Sequence, residues 1–236
     1  MRPVSRARSR SGRWVPAGLL ALAFIPVVIG SIRVVQLLGG PAGIEPDARF
    51  DAAPTAVVVH LVASIGYAVL GAFQFSPRLR RRGWHRRAGL VLVPLGLVVA
   101  GSALWLTLLY DRKEGTGTLL HSARLLVGAG MAACVVLGVT AIRRRDIAAH
   151  AAWMTRAYAL ALGAGTQPFT VGFGEAAFGP GVLRTELMLT AGWGLNLAVA
   201  ELLIRRAPHA PVPSPRPPET AHVETSDPST VVGGVK

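Results

Sequence analysis

The chain alternates long apolar runs with short polar ones. Six runs, approximately 15–38, 55–75, 86–110, 118–142, 150–170 and 185–204, are long enough to cross a bilayer as helices, since a ~30 Å hydrocarbon core takes roughly 20 residues. Arg33, Arg124, Arg156 and Glu201 are the only charges clearly inside them. Backbone in lipid must satisfy its own polar groups, so such runs predict helices. The expected fold class is all-α, a six-transmembrane-helix bundle. The first run follows Arg2, Arg6, Arg8, Arg10 and Arg13 and exceeds the ~7–15-residue core of a cleaved signal, so it is expected to remain as an anchor.

The polar stretches between the runs carry an orientation. Arg78, Arg80, Arg81 and Arg82 stand in the second loop with Arg86 and Arg87 just beyond, Arg143, Arg144 and Arg145 in the fourth, and Arg205 and Arg206 end the last run. The alternate loops are acidic or neutral: Glu45, Asp47, Arg49 and Asp51, then Asp111 to Glu114, then Glu175. Basic loops stay on the cytoplasmic side, which predicts an N-in/C-in protein of the cell membrane. Three regions follow: a basic N-terminal tail (1–14), the transmembrane domain (15–206) and a tail (207–236). Pro208, Pro211, Pro213, Pro215, Pro217 and Pro218 open that tail and a Ser/Thr/Glu stretch continues it; such material is expected to be disordered.

Composition sharpens this picture. Residues are 51% hydrophobic and only 16% charged, below the ~25% usual for soluble domains. The net charge of +13 would suit a nucleic-acid partner, but the arginines cluster between apolar runs and aromatic residues are few. That is the pattern of loops at an anionic membrane face, not of a base-stacking groove. The single cysteine, Cys134, lies in an apolar run and reads as a small core residue. No phosphate loop, nucleophile elbow, metalloprotease helix or carboxylate pair is present, and hydrolytic chemistry has no support.

The histidines carry the functional signal. His60 lies about five residues inside the second run and His121 about three inside the fourth, both near the outer face. His85 and His150 lie at the inner starts of the third and fifth runs. Four consecutive helices thus carry one histidine each. Facing imidazoles on neighbouring helices are what a six-coordinate haem b needs, and the natural pairs are His60 with His121 and His85 with His150. Without a Cys-x-x-Cys-His stretch, covalent haem attachment is excluded.

Helical stepping from His60 meets Ser64, Tyr67, Gly71 and Gln74; from His85, Gly89, Gly96 and Ala103; from His121, Gly128 and Ala132; from His150, Ala157, Ala161 and Ala164. These stripes are expected to face the bundle interior. Small residues leave room for a flat macrocycle, although they are equally ordinary at helix contacts in membranes. Arg124 near the outer pair, and Arg86, Arg87 or Arg156 near the inner, could clamp propionates. Alternatively Arg124 pairs with Glu175, Glu186 or Asp111, Arg156 snorkels to headgroups, and His85 and His150 are interfacial residues. Trp84, Trp105, Tyr110 and Trp153 suit an interfacial belt. Thr166-Gln167-Pro168 predicts a kink or end in the fifth helix.

The stretches His60…Tyr67-Ala-Val-Leu-Gly-Ala-Phe-Gln-Phe75, Arg78-Leu-Arg80, His85-Arg-Arg-Ala-Gly89 and His150-Ala-Ala-Trp-Met-Thr-Arg156-Ala-Tyr158 resemble the bacterial membrane proteins catalogued as domain of unknown function 2306. The resemblance covers roughly residues 55–205 and implies a multi-pass plasma-membrane protein. In arrangement, not in sequence, the four histidines are similar to cytochrome b561, whose layout implies six helices and two haems; no ascorbate-site motif accompanies it. The functional expectation is a dihaem cytochrome b-like carrier moving electrons across the membrane, with a quinone or redox protein as partner. The alternative is a haem-free transporter or scaffold in which His60, His121 and Arg124 line a polar cavity.

Overall fold

The computed structural model describes residues 14–41, 43–51, 53–80, 83–113 and 116–207. Every regular element among them is helical: α1 (Val15–Leu37), α2 (Ala48–Asp51), α3 (Pro54–Gln74), α4 (Pro77–Arg80), α5 (Trp84–Leu109), α6 (Thr118–Arg143), α7 (Ile147–Ala161), α8 (Gly163–Phe178) and α9 (Val182–Arg206). The basic N-terminal tail before Trp14 and the Pro-rich tail beyond Ala207 lie outside the described residues.

Local chemistry sets the ends. Prolines open α1 and α3, where a missing N–H costs nothing. Between α6 and α7, Arg145 takes a left-handed φ of 62°, and the Asp146 side chain accepts from the Ala149 N–H at 2.9 Å. That cap starts α7 at once, and the two helices return side by side.

Five helices, α1, α3, α5, α6 and α9, are long and apolar enough to cross a membrane. The fifth apolar run becomes two shorter helices, α7 of 15 residues and α8 of 16, joined at Leu162. Pro168 cannot donate to the Ala164 carbonyl, and its ring crowds the preceding turn. The joint nevertheless falls earlier than the Thr166-Gln167-Pro168 position. Gly163 packs directly against the Trp193 ring and Gly165 against the Leu22 carbonyl, neither leaving room for a side chain. Asn196 bridges the break: its Nδ2 donates to the Ala159 carbonyl at 3.2 Å while its Oδ1 accepts from Thr166 at 2.7 Å.

The burial pattern is that of a protein solvated by lipid. Leu90, Leu126 and Phe173 stand 73%, 75% and 67% exposed on their helices, whereas Ala23, Ala72, Ala100 and Ala157 are at most 1% exposed. With no hydrophobic force between helices in lipid, small residues bring backbones together and large apolar ones face outward.

Helices α3, α5, α6 and α7 form a ring in which each packs on the next, with α1 against α3 and α8, and α9 against α6, α7 and α8. The half of the ring near the Arg78 and Arg143 loops is solid. Tyr67 and Tyr158 lie 5.9 Å apart, Phe75 and Tyr158 5.2 Å, and Tyr158 Oη donates to the Ala68 carbonyl at 2.7 Å. Gly71 makes room for the Tyr158 ring and Gly96 for that of Tyr67. The other half, under α2, is open.

Candidate functional site: a cavity in the open half of the bundle

A cavity of about 380 Å³ lies between α1, α3, α5, α6 and the α7–α8 joint. Its walls are mostly small or apolar: Ala23, Val27, Ile65, Ala68, Ala100, Ala103, Gly128, Met131, Ala161, Ala164 and Gly165. Gly128 is small because the Leu104 side chain packs against it at 2.9–3.0 Å from where a Cβ would be. Pockets of this size and polarity hold small molecules, oriented by a few placed polar groups. Those present are His60 and Ser64 on one wall, Arg124 on another, and Thr107, Tyr110, Arg49 and Trp193 around them.

The histidine is held by a hydrogen-bond chain. Ser102 Oγ reaches the Val98 carbonyl at 2.6 Å and lies 2.9 Å from His60 Nδ1. That contact holds the ring by Nδ1, and Nε2 faces Ser64 Oγ at 3.5 Å. Fixing one ring nitrogen by a hydrogen bond is how proteins prepare the other to bind a metal or accept a proton.

Arg124 lines both this cavity and a smaller pocket of about 30 Å³ beyond it, where Asp111, Arg112, Thr116 and His121 join the wall. Among the described residues Arg124 forms no hydrogen bond or ion pair, so the expected alternatives, Glu175, Glu186 and Asp111, do not hold it. Buried Glu186 is occupied instead, accepting from the Gly117 N–H.

Short α2 closes this end. Arg49 grips Asp47 with Nε–Oδ1 at 2.9 Å and Nη2–Oδ2 at 2.5 Å, and donates to the Asp111 carbonyl at 3.1 Å. Those hydrogen bonds hold the Asp47 carboxyl below the usual carboxylate range and push the Arg49 guanidinium up. Phe50 lies 6.2 Å from Tyr110, whose hydroxyl donates to the Ala53 carbonyl. Sequence reading passed over Arg49, Phe50, Ser102 and Trp193. Ser102, a hydroxyl set among Ala100, Gly101 and Ala103 in an apolar run, was the available signal.

The predicted histidine pairs fare unequally. His60 is level with Ser102, and Ser102 is level with Gly128, which faces Ala100 and Leu104. His121 lies seven residues back along α6, roughly 10 Å further out. The two are on opposite helices of the ring but in adjoining pockets. His85 and His150 sit on the other diagonal, within about one turn in depth, judged from the His150 Nδ1–Gly138 carbonyl bond of 2.8 Å and the Gly138–Met154 contact. Neither lines the cavity, and the Tyr67–Tyr158–Phe75 packing fills the solid half. The His85 carbonyl accepts from Gln74 at 3.3 Å. Arg86 and Arg87 are exposed. Arg156 is committed to Glu201, with its guanidinium 4.6 Å over Trp153. Among the described residues no group of three or more metal-ligating side chains converges, though a haem site asks for only two.

The model of the predicted membrane protein family DUF2306 matches residues 57–204, and the chain belongs to that family. No curated protein and no solved structure matches it. The family region takes in every helix of the ring and leaves out α1, which supplies the Ala23–Val27 wall of the cavity.

Proposed function

We propose that this DUF2306 member is a membrane-embedded binding protein, a small carrier or sensor, that takes a hydrophobic molecule into the cavity beneath α2. The observation that carries the reading is the cavity itself: about 380 Å³, largely apolar, with His60 and Arg124 on separate walls. In this proposal the chain crosses the membrane six times, α7 and α8 acting together, with both ends in the cytoplasm. The Arg78, Arg143 and Arg205 clusters, all at one end, support that orientation. The cavity then opens in the outer half. Trp193 lines it, so an alkyl chain carrying bromine should quench tryptophan fluorescence saturably. That quenching should be lost in Trp193→Phe; quenching that persists there would place the chain elsewhere.

The prepared Nε2 of His60 favours a second reading, haem b in the same cavity. Small residues at Ala68, Ala100, Ala103, Ala164 and Gly165 suit a flat ring, His60 would hold the iron, and Arg124 would meet a propionate. Bound there, the group would supply one-electron chemistry to a quinone or redox partner. The fit covers one group: a second, between His85 and His150, requires the packed tyrosines to part. A Soret band in haem-replete protein, lost in His60→Ala, tests this reading; its absence leaves the haem-free cavity.

A further inference from the structure

The small polar pocket beyond the cavity has no role in the reading above, and its chemistry identifies one end of the ligand. We propose that it seats a small oxyanion, a carboxylate or phosphate monoester, at the head of the molecule whose apolar body fills the cavity. The inference rests on the cavity reading and adds the ligand's charge, head size and direction.

Three observations converge. First, Arg124 lies well inside α6, where an unpaired guanidinium in hydrocarbon is costly and marks function; yet it meets no carboxylate among the described residues. Second, the pocket's lining is positive: Arg49, Arg112 and Arg124 stand on it against the one carboxylate of Asp111. Arg49 is already held by Asp47 from outside the pocket. Glu186 lines neither space and accepts from the Gly117 N–H. His121, one turn from Arg124 on the same face, is a further donor. Third, the two spaces adjoin, with Arg49, Leu106, Thr107, Tyr110 and Arg124 on the walls of both, so Arg124 faces a polar pocket on one side and an apolar one on the other.

Size selects the head. The pocket's 30 Å³ gives room for about two water-sized groups. A carboxylate or single phosphate fits where a glycerophosphodiester does not. A guanidinium matches either oxyanion with two parallel hydrogen bonds. The ligand therefore lies with its charged head under α2 and its body towards Met131 and Ala164.

The test uses the full chain in an uncharged detergent and three probes of equal chain length: a fatty acid, an alkyl phosphate and the corresponding alcohol. The proposal expects the acid, the phosphate or both to bind about ten-fold more tightly than the alcohol, the increment of one charge-assisted hydrogen bond. Preference for the acid points to a carboxylate source and preference for the phosphate to a lipid phosphate. Arg124→Gln should erase the preference while the alcohol still binds, and Arg124→Lys should restore part of it. Equal binding of all three, or a preference that survives Arg124→Gln, overturns the proposal and leaves the cavity reading standing. Binding of none of them overturns both.

Discussion

Arg156 on α7 and Glu201 on α9 meet through two hydrogen bonds, Nε–Oε1 at 2.5 Å and Nη2–Oε2 at 3.0 Å, over the ring of Trp153. The pair ties the jointed helix to the last one at the basic-loop end. Its side chains are 23% and 31% exposed, so screening lowers its worth below that of a fully buried pair. Arg156→Gln or Glu201→Gln should each cost about 1–2 kcal/mol, because each strands one charge in the membrane. The double variant should cost less than the two single losses added together. Thermal unfolding in detergent measures all three; additive losses would mean that the two residues act independently.

The packed tyrosines make a separate stability prediction. Tyr158→Phe removes the hydrogen bond to the Ala68 carbonyl and should cost about 1 kcal/mol. Gly71→Val places a side chain where the Tyr158 ring lies and should cost about 1–3 kcal/mol by overpacking. The same thermal assay decides, and a neutral Gly71→Val would show that the ring has room to swing away.

The α2 cover should loosen in acid. Arg49 lowers the Asp47 carboxyl below its ordinary value. The stabilisation is therefore complete above the unfolded value of about 3.9 and is lost as pH falls through the lowered folded value. Protection factors of residues 47–51 against hydrogen exchange should hold between pH 7 and 5, then fall below about pH 4. Asp47→Asn should remove that acid step by removing the titrating group. A step that persists in Asp47→Asn would assign it to another carboxylate.

The helices were legible in the sequence because lipid imposes long apolar runs, and most of the residues that carried the family resemblance lie on the ring helices α3, α5 and α7. What pairs with what was less so. The stripe His60–Ser64–Tyr67–Gly71–Gln74 does face inward, but Gly71 makes room for Tyr158, 87 positions further along the chain, rather than for a macrocycle. Counted along their apolar runs, His60 and His121 differ by only about two residues in depth. Their pairing contacts separate them, because α6 begins further out than α3. The joint at Leu162 depends on Trp193 and Leu22 pressing on Gly163 and Gly165, contacts no local pattern contains. Arg49 reads as one more loop charge until its bond to the Asp111 carbonyl places it over the cavity.

Orientation has its own check. A reporter active only in the cytoplasm should work when fused after Arg206 and stay silent when fused after Asp111, since these points lie at opposite ends of the bundle in the proposed topology. The reverse outcome would turn the cavity towards the cytoplasm.

The central claim is that the space between His60 and Arg124 holds a molecule, and native mass spectrometry of protein purified in mild detergent tests it most directly. Wild-type protein should carry a bound species of defined mass, at most one per chain, released by harsher detergent. Ala103→Phe and Ala164→Phe, which fill the cavity from two different walls, should fold and elute normally but lose that species. Adducts that are absent from the wild type, or that persist at full occupancy in both filled variants, would contradict the account.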